Sequence, residues 1–194
     1  FDSTALYRAL RGVEPANDQG EYYLTDVAEI MLRNGGRVSV FLHNDPREVS
    51  GINTRADLAE FENLIRRTAI RRLMIDSGVT FIDPSHAYIS AEAEIGRDSI
   101  IYPNVHVEGK TIIGEGCVIR SGARITNSHI GNAVTIKDYS IIVDSEIESN
   151  CAVGPFAHLR MNAVLEEKAT VGNFVEVKKS RLKRGTKAMH LTYL

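Results

Sequence analysis

The chain has 194 residues, 43% of them hydrophobic and 25% charged, with a net charge of −2. This composition is ordinary for a folded globular protein and excludes a mostly disordered chain. The near-neutral charge argues against nucleic acid as a partner, and the short apolar runs argue against a membrane span. Two cysteines, Cys117 and Cys151, are too few for a disulfide framework, so we expect buried, inert thiols and a reducing, cytoplasmic location.

The first 80 residues combine helical and strand patterns. Ser3 is a capping residue for a short helix that extends through Arg11. Thr25 opens a second helix that ends at about Asn34, in front of a glycine pair. Residues 37–42 then predict a strand, followed by a turn that contains proline.

Residues 56–76 form one long helical pattern, which Gly78 ends. Its arginine cluster is either an anion site or a solvated face whose side-chain stems cover apolar surface, and helices carry the second arrangement more often. The cluster consists of Arg66, Arg67, Arg71 and Arg72.

From Ile89 onward, branched aliphatic residues recur about every six positions. A small residue stands two positions before most of them, and together these features predict a parallel β-helix of hexapeptide repeats with about five coils. The repeat class winds left-handed. Three steps are only five residues long and differ by multiples of three steps, so we expect them along one edge of the prism. The seventeen aliphatic positions are Ile89, Ile95, Ile101, Val107, Ile113, Ile119, Ile125, Ile130, Ile136, Ile142, Ile147, Val153, Leu159, Leu165, Val171, Val177 and Leu182.

A coil of 18 residues brings Arg160 beside Lys178, each directly after an aliphatic position and therefore pointing outward. Two cations stacked about 4.8 Å apart repel each other unless an anion lies between them, and a phosphate suits both. The alternative is that both splay into water. His158 and Glu176 stack in the same way, either as a carboxylate that orients an imidazole or as an exposed pair of little energetic value.

The C-terminal segment departs from the repeat. Ala188 takes an aliphatic position and leaves more room there, while His190 and Tyr193 project from this coil or from the loop that leaves it. From its residue type alone, His190 is more often structural than catalytic.

Five segments carry a family resemblance. The chain resembles the bacterial bifunctional N-acetylglucosamine-1-phosphate uridylyltransferase/glucosamine-1-phosphate acetyltransferases over nearly its whole length. The segments are Gly154–Arg160, Val171–Lys179, Lys187–Tyr193, Gln19–Asp26 and Gly51–Arg55.

The resemblance implies acetyl transfer from acetyl-CoA to glucosamine 1-phosphate on the β-helix. Uridylyl transfer from UTP with Mg²⁺ follows on a Rossmann-like domain, which yields UDP-N-acetylglucosamine for peptidoglycan and lipopolysaccharide. Arg160, Lys178 and Tyr193 would then bind the sugar phosphate, and Glu176 would polarise or position the reacting groups. His190 would be the general base, since an imidazole exchanges protons near neutral pH.

In the other half, the resemblance implies that Glu21, Tyr23 and Thr25 lie beside the sugar of UDP-N-acetylglucosamine, and that Asn53 is a ligand of the nucleotide-bound Mg²⁺. We expect a uridylyltransferase remnant over 1–55, a linker helix over 56–78 and the acetyltransferase β-helix over 79–194.

Several departures from the family pattern predict a middle fragment with little or no activity. The glycine-rich nucleotide loop would precede Phe1, the segments that bind acetyl-CoA would follow Leu194, and Met161-Asn162 stands where Pro-Gly is usual. The competing class is a non-catalytic hexapeptide-repeat scaffold.

A homotrimer is also expected. The resemblance implies it, and apolar residues such as Ile112, Val118 and Ile141 point outward from flat faces that association would cover.

Overall fold

The computed structural model describes residues 1–16 and 18–194. The chain divides into two compact units, Phe1–Gly51 and Ile52–Leu194, and each is described by itself.

The first unit is a small helical pair. Helices α1 (Ser3–Leu10) and α2 (Asp26–Arg33) pack against each other, with Ala9 and Val27 buried. Asp2, not Ser3, caps α1, because the Asp2 carboxylate accepts a hydrogen bond from the Ala5 amide at 2.9 Å. Thr25 is the N-cap of α2 as predicted, although its side chain makes no capping bond.

The predicted strand at 37–42 is wrong. The segment forms no ladder, and its side chains Val40, Phe41 and Leu42 are 81%, 87% and 84% exposed. A strand is stable only when a neighbour pairs its backbone, and within the described residues of Phe1–Gly51 no strand is present to do so. A short 3₁₀ helix, Pro46–Val49, follows the segment.

The second unit opens with α3 (Arg55–Asp76), close to the predicted 56–76. Thr54 and Asp57 form a capping box at its start: the Thr54 hydroxyl accepts from the Asp57 amide, and the Asp57 carboxylate accepts from the Thr54 amide. Its later turns bury Ala69, Ile70 and Leu73 in the core of the β-helix.

Nineteen short strands, numbered in chain order, form three parallel sheets of a solenoid. The first sheet holds β1 (Thr80–Phe81), β4 (Ile100–Ile101), β7 (Val118–Ile119), β10 (Thr135–Ile136), β13 (Ala152–Val153), β16 (Thr170–Asn173) and β19 (Lys187–His190). The second holds β2 (Ala87–Ile89), β5 (Val105–Glu108), β8 (Arg124–Thr126), β11 (Ile141–Val143), β14 (His158–Arg160) and β17 (Glu176–Lys178). The third holds β3 (Glu94–Ile95), β6 (Ile112–Ile113), β9 (His129–Ile130), β12 (Glu146–Ile147), β15 (Val164–Leu165) and β18 (Arg181–Leu182).

The interior of the solenoid confirms the repeat. All seventeen predicted aliphatic positions are buried, and so are the small residues two positions before them. The solenoid has about six turns instead of the expected five, because Phe81 already pairs with Ile101. The count from the sequence missed this first turn because a 3₁₀ helix, Pro84–His86, interrupts the spacing.

The three five-residue steps lie at one edge, as predicted. Each connects a strand of the second sheet to a strand of the third, through Asn127, Asp144 and Lys179 respectively. These three residues have φ values of 47°, 45° and 51°, so a single left-handed residue makes each short corner. The left-handed winding of the whole solenoid stays a prediction.

Both cysteines are free and buried in the core. Burial raises the pKa of the Cys117 and Cys151 thiols above the usual range, which disfavours the reactive thiolate. Among residues 1–16 and 18–194, no helix is both long enough and apolar enough to cross a membrane.

Candidate functional site

The candidate site lies on the outer face of the second sheet, where β14 and β17 run side by side. Their register pairs His158 with Glu176, Leu159 with Val177, and Arg160 with Lys178. Because Leu159 and Val177 are buried, the residues on either side of them face outward. The stacking of Arg160 on Lys178 that the 18-residue spacing predicts is therefore present.

Glu176 contacts Arg160 and leaves His158 without its expected carboxylate partner among the hydrogen bonds of the described residues. Oε1 of Glu176 accepts from Arg160 Nε at 2.6 Å and lies 2.6 Å from Arg160 Nη2. Residues 16 apart are diagonal neighbours on adjacent coils, a distance that the long guanidinium side chain spans easily. The ion pair is only part-buried, so its main effect is to fix the direction of the guanidinium.

The Arg160 guanidinium also contacts a sulfur atom. Its Nη1 donates to Sδ of Met161 at 3.4 Å. A guanidinium carries five N–H groups. The contacts to Glu176 and Met161 use three of them, which leaves one N–H on each terminal nitrogen. Two parallel N–H groups of this kind match two oxygens of a phosphate or carboxylate.

Lys178 supplies a second cation beside this fork. Its backbone carbonyl accepts a hydrogen bond from the Ser180 hydroxyl at 2.9 Å, and this contact helps to hold the corner that follows the strand. Its ammonium group can approach a bound anion as a point charge, in contrast to the planar fork of Arg160.

The C-terminal segment brings Tyr193 to the same face. After β19 the chain turns at Leu191, with φ of 47°, and then runs beside β17. A parallel bridge pairs Glu176 with Tyr193, and the Lys178 amide donates to the Leu194 carbonyl at 2.8 Å. Tyr193 therefore stands next to Glu176, in the row that faces Arg160 and Lys178.

His190 ends β19, on the first sheet, three residues before Tyr193. It pairs with Asn173, and its carbonyl accepts from the Thr192 hydroxyl at 2.8 Å. Ala188, in the aliphatic position opposite Val171, is only partly buried. His190 is exposed at the prism edge that separates its strand from the row of Tyr193.

Three sequence-predicted residues lie in the first unit. Tyr23 donates its hydroxyl to Gln19 Oε1 at 2.9 Å, and Thr25 begins α2. Glu21 belongs to the same exposed segment. These residues share one stretch of backbone between the two helices.

Asn53 belongs to the second unit, directly before the α3 cap. Its backbone amide donates to Asp57 Oδ2 at 3.0 Å, a bond that lowers the pKa of the Asp57 carboxyl below its usual range. Mg²⁺ requires several oxygen ligands, usually including one or two carboxylates. No group of three His, Cys, Asp or Glu residues suited to a metal ion exists in the described chain. The residues around Asn53 therefore do not make a magnesium site by themselves.

The arginines of α3 have a different role from either alternative considered for them. Arg66 Nη1 donates to the carbonyls of Ser85 and Ala87 at 3.1 and 3.2 Å, and its guanidinium lies over the Tyr88 ring. Arg72 donates to the Ala91 carbonyl at 3.4 Å. These two arginines fasten the helix to the first turn of the solenoid.

Sequence reasoning missed two contacts of the site. The separation of 16 between Arg160 and Glu176, two less than a coil, was a usable signal for the ion pair. The sulfur contact had no signal beyond the adjacency of Arg160 and Met161. Met161 and Asn162 have φ values of 56° and 62°, a conformation that a proline at position 161 could not adopt.

The fold and site together define a hexapeptide-repeat β-helix that carries an outward pair of stacked cations. A family model described as the GMPPB C-terminal domain matches residues 80–187, more than half of the chain. The chain belongs to this family.

Curated relatives match the chain along its whole length. It is 47% identical to the bifunctional protein GlmU of Geobacillus sp. (strain WCH70) and 48% identical to that of Heliobacterium modesticaldum. Each match covers all 194 residues of this chain and 42% of the relative, so the chain spans less than half the length of these proteins. The resemblance found in the sequence motifs is confirmed.

Among solved structures, a hexapeptide transferase family protein from Anaplasma phagocytophilum superimposes with a TM-score of 0.53 at 20% identity. The match covers 58% of this chain and 70% of that one. At this identity the likeness supports the fold alone.

Proposed function

We propose that this chain carries the sugar-phosphate site of the acetyltransferase in a bifunctional enzyme that makes UDP-N-acetylglucosamine. The observation that carries the proposal is the Arg160–Lys178 stack, with two guanidinium N–H groups left for an anion. Its likeness to bifunctional GlmU proteins supports the substrate, glucosamine 1-phosphate.

In the proposed reaction, the amine of glucosamine 1-phosphate attacks the thioester carbonyl of acetyl-CoA. A C–N bond forms, the C–S bond breaks and coenzyme A leaves as its thiol. His190 accepts the proton that the amine loses. Arg160, Lys178 and Tyr193 hold the phosphate end, so that the amine is presented to the edge where His190 stands.

Glu176 has a positioning part in this proposal. Its bond to Nε and Nη2 turns the terminal nitrogens of Arg160 outward. It also limits the positive charge that Arg160 and Lys178 present together, which reduces their repulsion when no anion is bound.

The domain assignments are part of the same proposal. We assign residues 79–194 to the acetyltransferase, 56–78 to a linker helix and 1–55 to the end of a uridylyltransferase domain. Glu21, Tyr23, Thr25 and Asn53 would serve uridylyl transfer from UTP in the whole protein. Mg²⁺ for that step would need ligands beyond Asn53, and no step is derived through it.

The proposal includes a homotrimer in the cytoplasm. Exposed Ile112 and Ile141 on the outer faces of the solenoid favour association, and the two free, buried thiols suit a reducing compartment. Sedimentation of the full chain at tens of micromolar should give a trimer mass, and a monomer mass would contradict the assembly.

The test is an NMR titration of the full chain with glucosamine 1-phosphate. Two charge-assisted contacts, offset by desolvation and lost ligand freedom, predict a dissociation constant of about 1 mM. Arg160→Ala and Lys178→Ala should each weaken binding roughly tenfold. If both variants bind as well as the parent, the phosphate assignment is wrong.

Arg124→Ala is the matched control for this titration. Arg124 lies on the same sheet and forms a similar diagonal ion pair, with Glu108 at 2.6 Å, but it belongs to an earlier coil. It should therefore leave sugar-phosphate binding unchanged. Equal loss in all three variants would indicate a general charge effect and would support a scaffold role.

A further inference from the structure

Met161 is a half-exposed methionine whose sulfur touches a cation of the proposed phosphate site. Its side chain is 47% exposed, and Sδ accepts from Arg160 Nη1 at 3.4 Å. It also borders an open groove of about 770 Å³, together with Asp144 and Asn162. A small oxidant in solvent can therefore reach the sulfur directly.

Oxidation would change what this sulfur offers to Arg160. A thioether is a weak hydrogen-bond acceptor, whereas a sulfoxide presents a polar oxygen. With hydrogen peroxide, the sulfur gives two electrons to the peroxide bond. One oxygen becomes the S=O group and the other leaves as water.

We propose that Met161 is an oxidation site that regulates sugar-phosphate binding, because its sulfoxide oxygen competes with the phosphate for the Arg160 guanidinium. This inference rests on the proposed function. Glu176 already occupies Nε and Nη2, so the N–H groups of Nη1 and the remaining N–H of Nη2 are what a phosphate can use. A stronger acceptor fixed beside Nη1 reduces that supply.

The other methionines differ from Met161 in this respect. Met189, in β19, is also exposed at 56%, and Met74 lies on α3. Within residues 1–16 and 18–194, Met161 has the one hydrogen bond recorded between a methionine sulfur and a cationic group. Met189 is therefore the matched control: equally open to peroxide, but without an arginine at its sulfur.

The first experiment measures binding before and after peroxide treatment of the full chain. Mass spectrometry of the Met161 peptide follows the gain of one oxygen, and NMR follows the titration with glucosamine 1-phosphate. Oxidised parent and oxidised Met189→Leu should bind roughly threefold to tenfold more weakly than before treatment, as for one lost hydrogen bond to a charged group. Met161→Leu should keep its own affinity through the treatment.

Methionine sulfoxide reductase should restore binding in the parent. The buried thiols of Cys117 and Cys151, whose pKa values are raised, should react slowly under the same conditions.

A second readout needs no sugar phosphate. The Nε–H resonance of Arg160, assigned through its loss in Arg160→Lys, should shift on oxidation of the parent and of Met189→Leu, but stay in place in Met161→Leu. If it does not move while Met161 is fully oxidised, the proposal is overturned.

The two proposals fail in distinguishable ways. If the unoxidised parent does not bind glucosamine 1-phosphate, the proposed function fails and the regulation falls with it. If the parent binds and full oxidation of Met161 leaves its affinity unchanged, only the regulatory proposal is wrong.

Discussion

The two units of this chain respond differently to the same kind of sequence signal. In Ile52–Leu194, every aliphatic position of the repeat is buried and paired with a neighbouring coil. In Phe1–Gly51, the alternating segment 37–42 is exposed and unpaired within the described residues. A repeat supplies its own partner, since each coil provides the ladder for the next. An isolated strand pattern depends on a partner that its own sequence does not specify.

The largest expected effect contrasts the cores of the two units. Ile136→Ala removes three carbons from a fully buried side chain between adjacent coils and should lower the free energy of unfolding by about 2 to 5 kcal/mol. Phe41→Ala removes a larger side chain that is almost entirely exposed, and should cost less than about 0.5 kcal/mol. Urea unfolding followed by far-ultraviolet circular dichroism measures both.

A cost for Phe41→Ala equal to that of Ile136→Ala would contradict the comparison, because it would show that the 37–42 segment is packed in solution. A small cost for Ile136→Ala would indicate that the solenoid relaxes to fill the space.

The extent of prediction from sequence follows the same division. The six-residue period predicted the burial of each of its positions, and the five-residue steps predicted the corner occupied by Asn127, Asp144 and Lys179. The first turn of the solenoid was missed, because two extra residues before Ala87 shift Phe81 out of the period. Periodicity reports only those contacts that obey the period.

In the candidate site, the coil length predicted that Arg160 stacks on Lys178, and the register agrees. It could not predict that Glu176 bonds to Arg160 in preference to His158, because that choice depends on side-chain reach and charge. The position of Tyr193 beside Glu176 depends on a turn outside the repeat, at Leu191.

The next prediction compares two serines in equivalent buried positions of the solenoid. Ser99 Oγ donates to the Gly114 carbonyl at 2.9 Å and accepts from the Cys117 amide at 3.0 Å. Ser140 Oγ is buried without a hydrogen-bond partner among the described residues. Ser99→Ala should cost about 1 to 3 kcal/mol, because it leaves the Cys117 amide unpaired. Ser140→Ala should be neutral or stabilising by up to about 1 kcal/mol.

Thermal unfolding of both variants beside the parent gives the measurement. Equal destabilisation by the two substitutions would show that the Ser140 hydroxyl has a partner in solution, such as a bound water.

The smallest expected effect concerns an ion pair between coils and its dependence on pH. Arg124 donates to both oxygens of Glu108, at 2.6 and 3.1 Å, and the Thr126 hydroxyl donates to Glu108 Oε2 at 2.9 Å. The Arg124 bonds, followed by that of Thr126, hold the pKa of the Glu108 carboxyl below its usual 4.5, against an opposing effect of burial. A carboxyl whose pKa is lower in the folded state stabilises the fold above its unfolded pKa, and this contribution is lost as the pH falls through the folded value. The melting temperature of the parent should therefore exceed that of Glu108→Gln by a small margin at pH 7, since solvent screens a pair this exposed. The margin should shrink as the pH falls below about 4.5, because the parent then also carries an uncharged side chain at this position. In the first unit, Arg47 lowers the pKa of Asp45 to about 2, but these residues are only two apart and fully exposed, so Asp45→Asn should leave the melting of the solenoid unchanged at every pH. A margin for Glu108→Gln that stays constant from pH 7 to pH 3 would show that the pair contributes through packing and not through its charge.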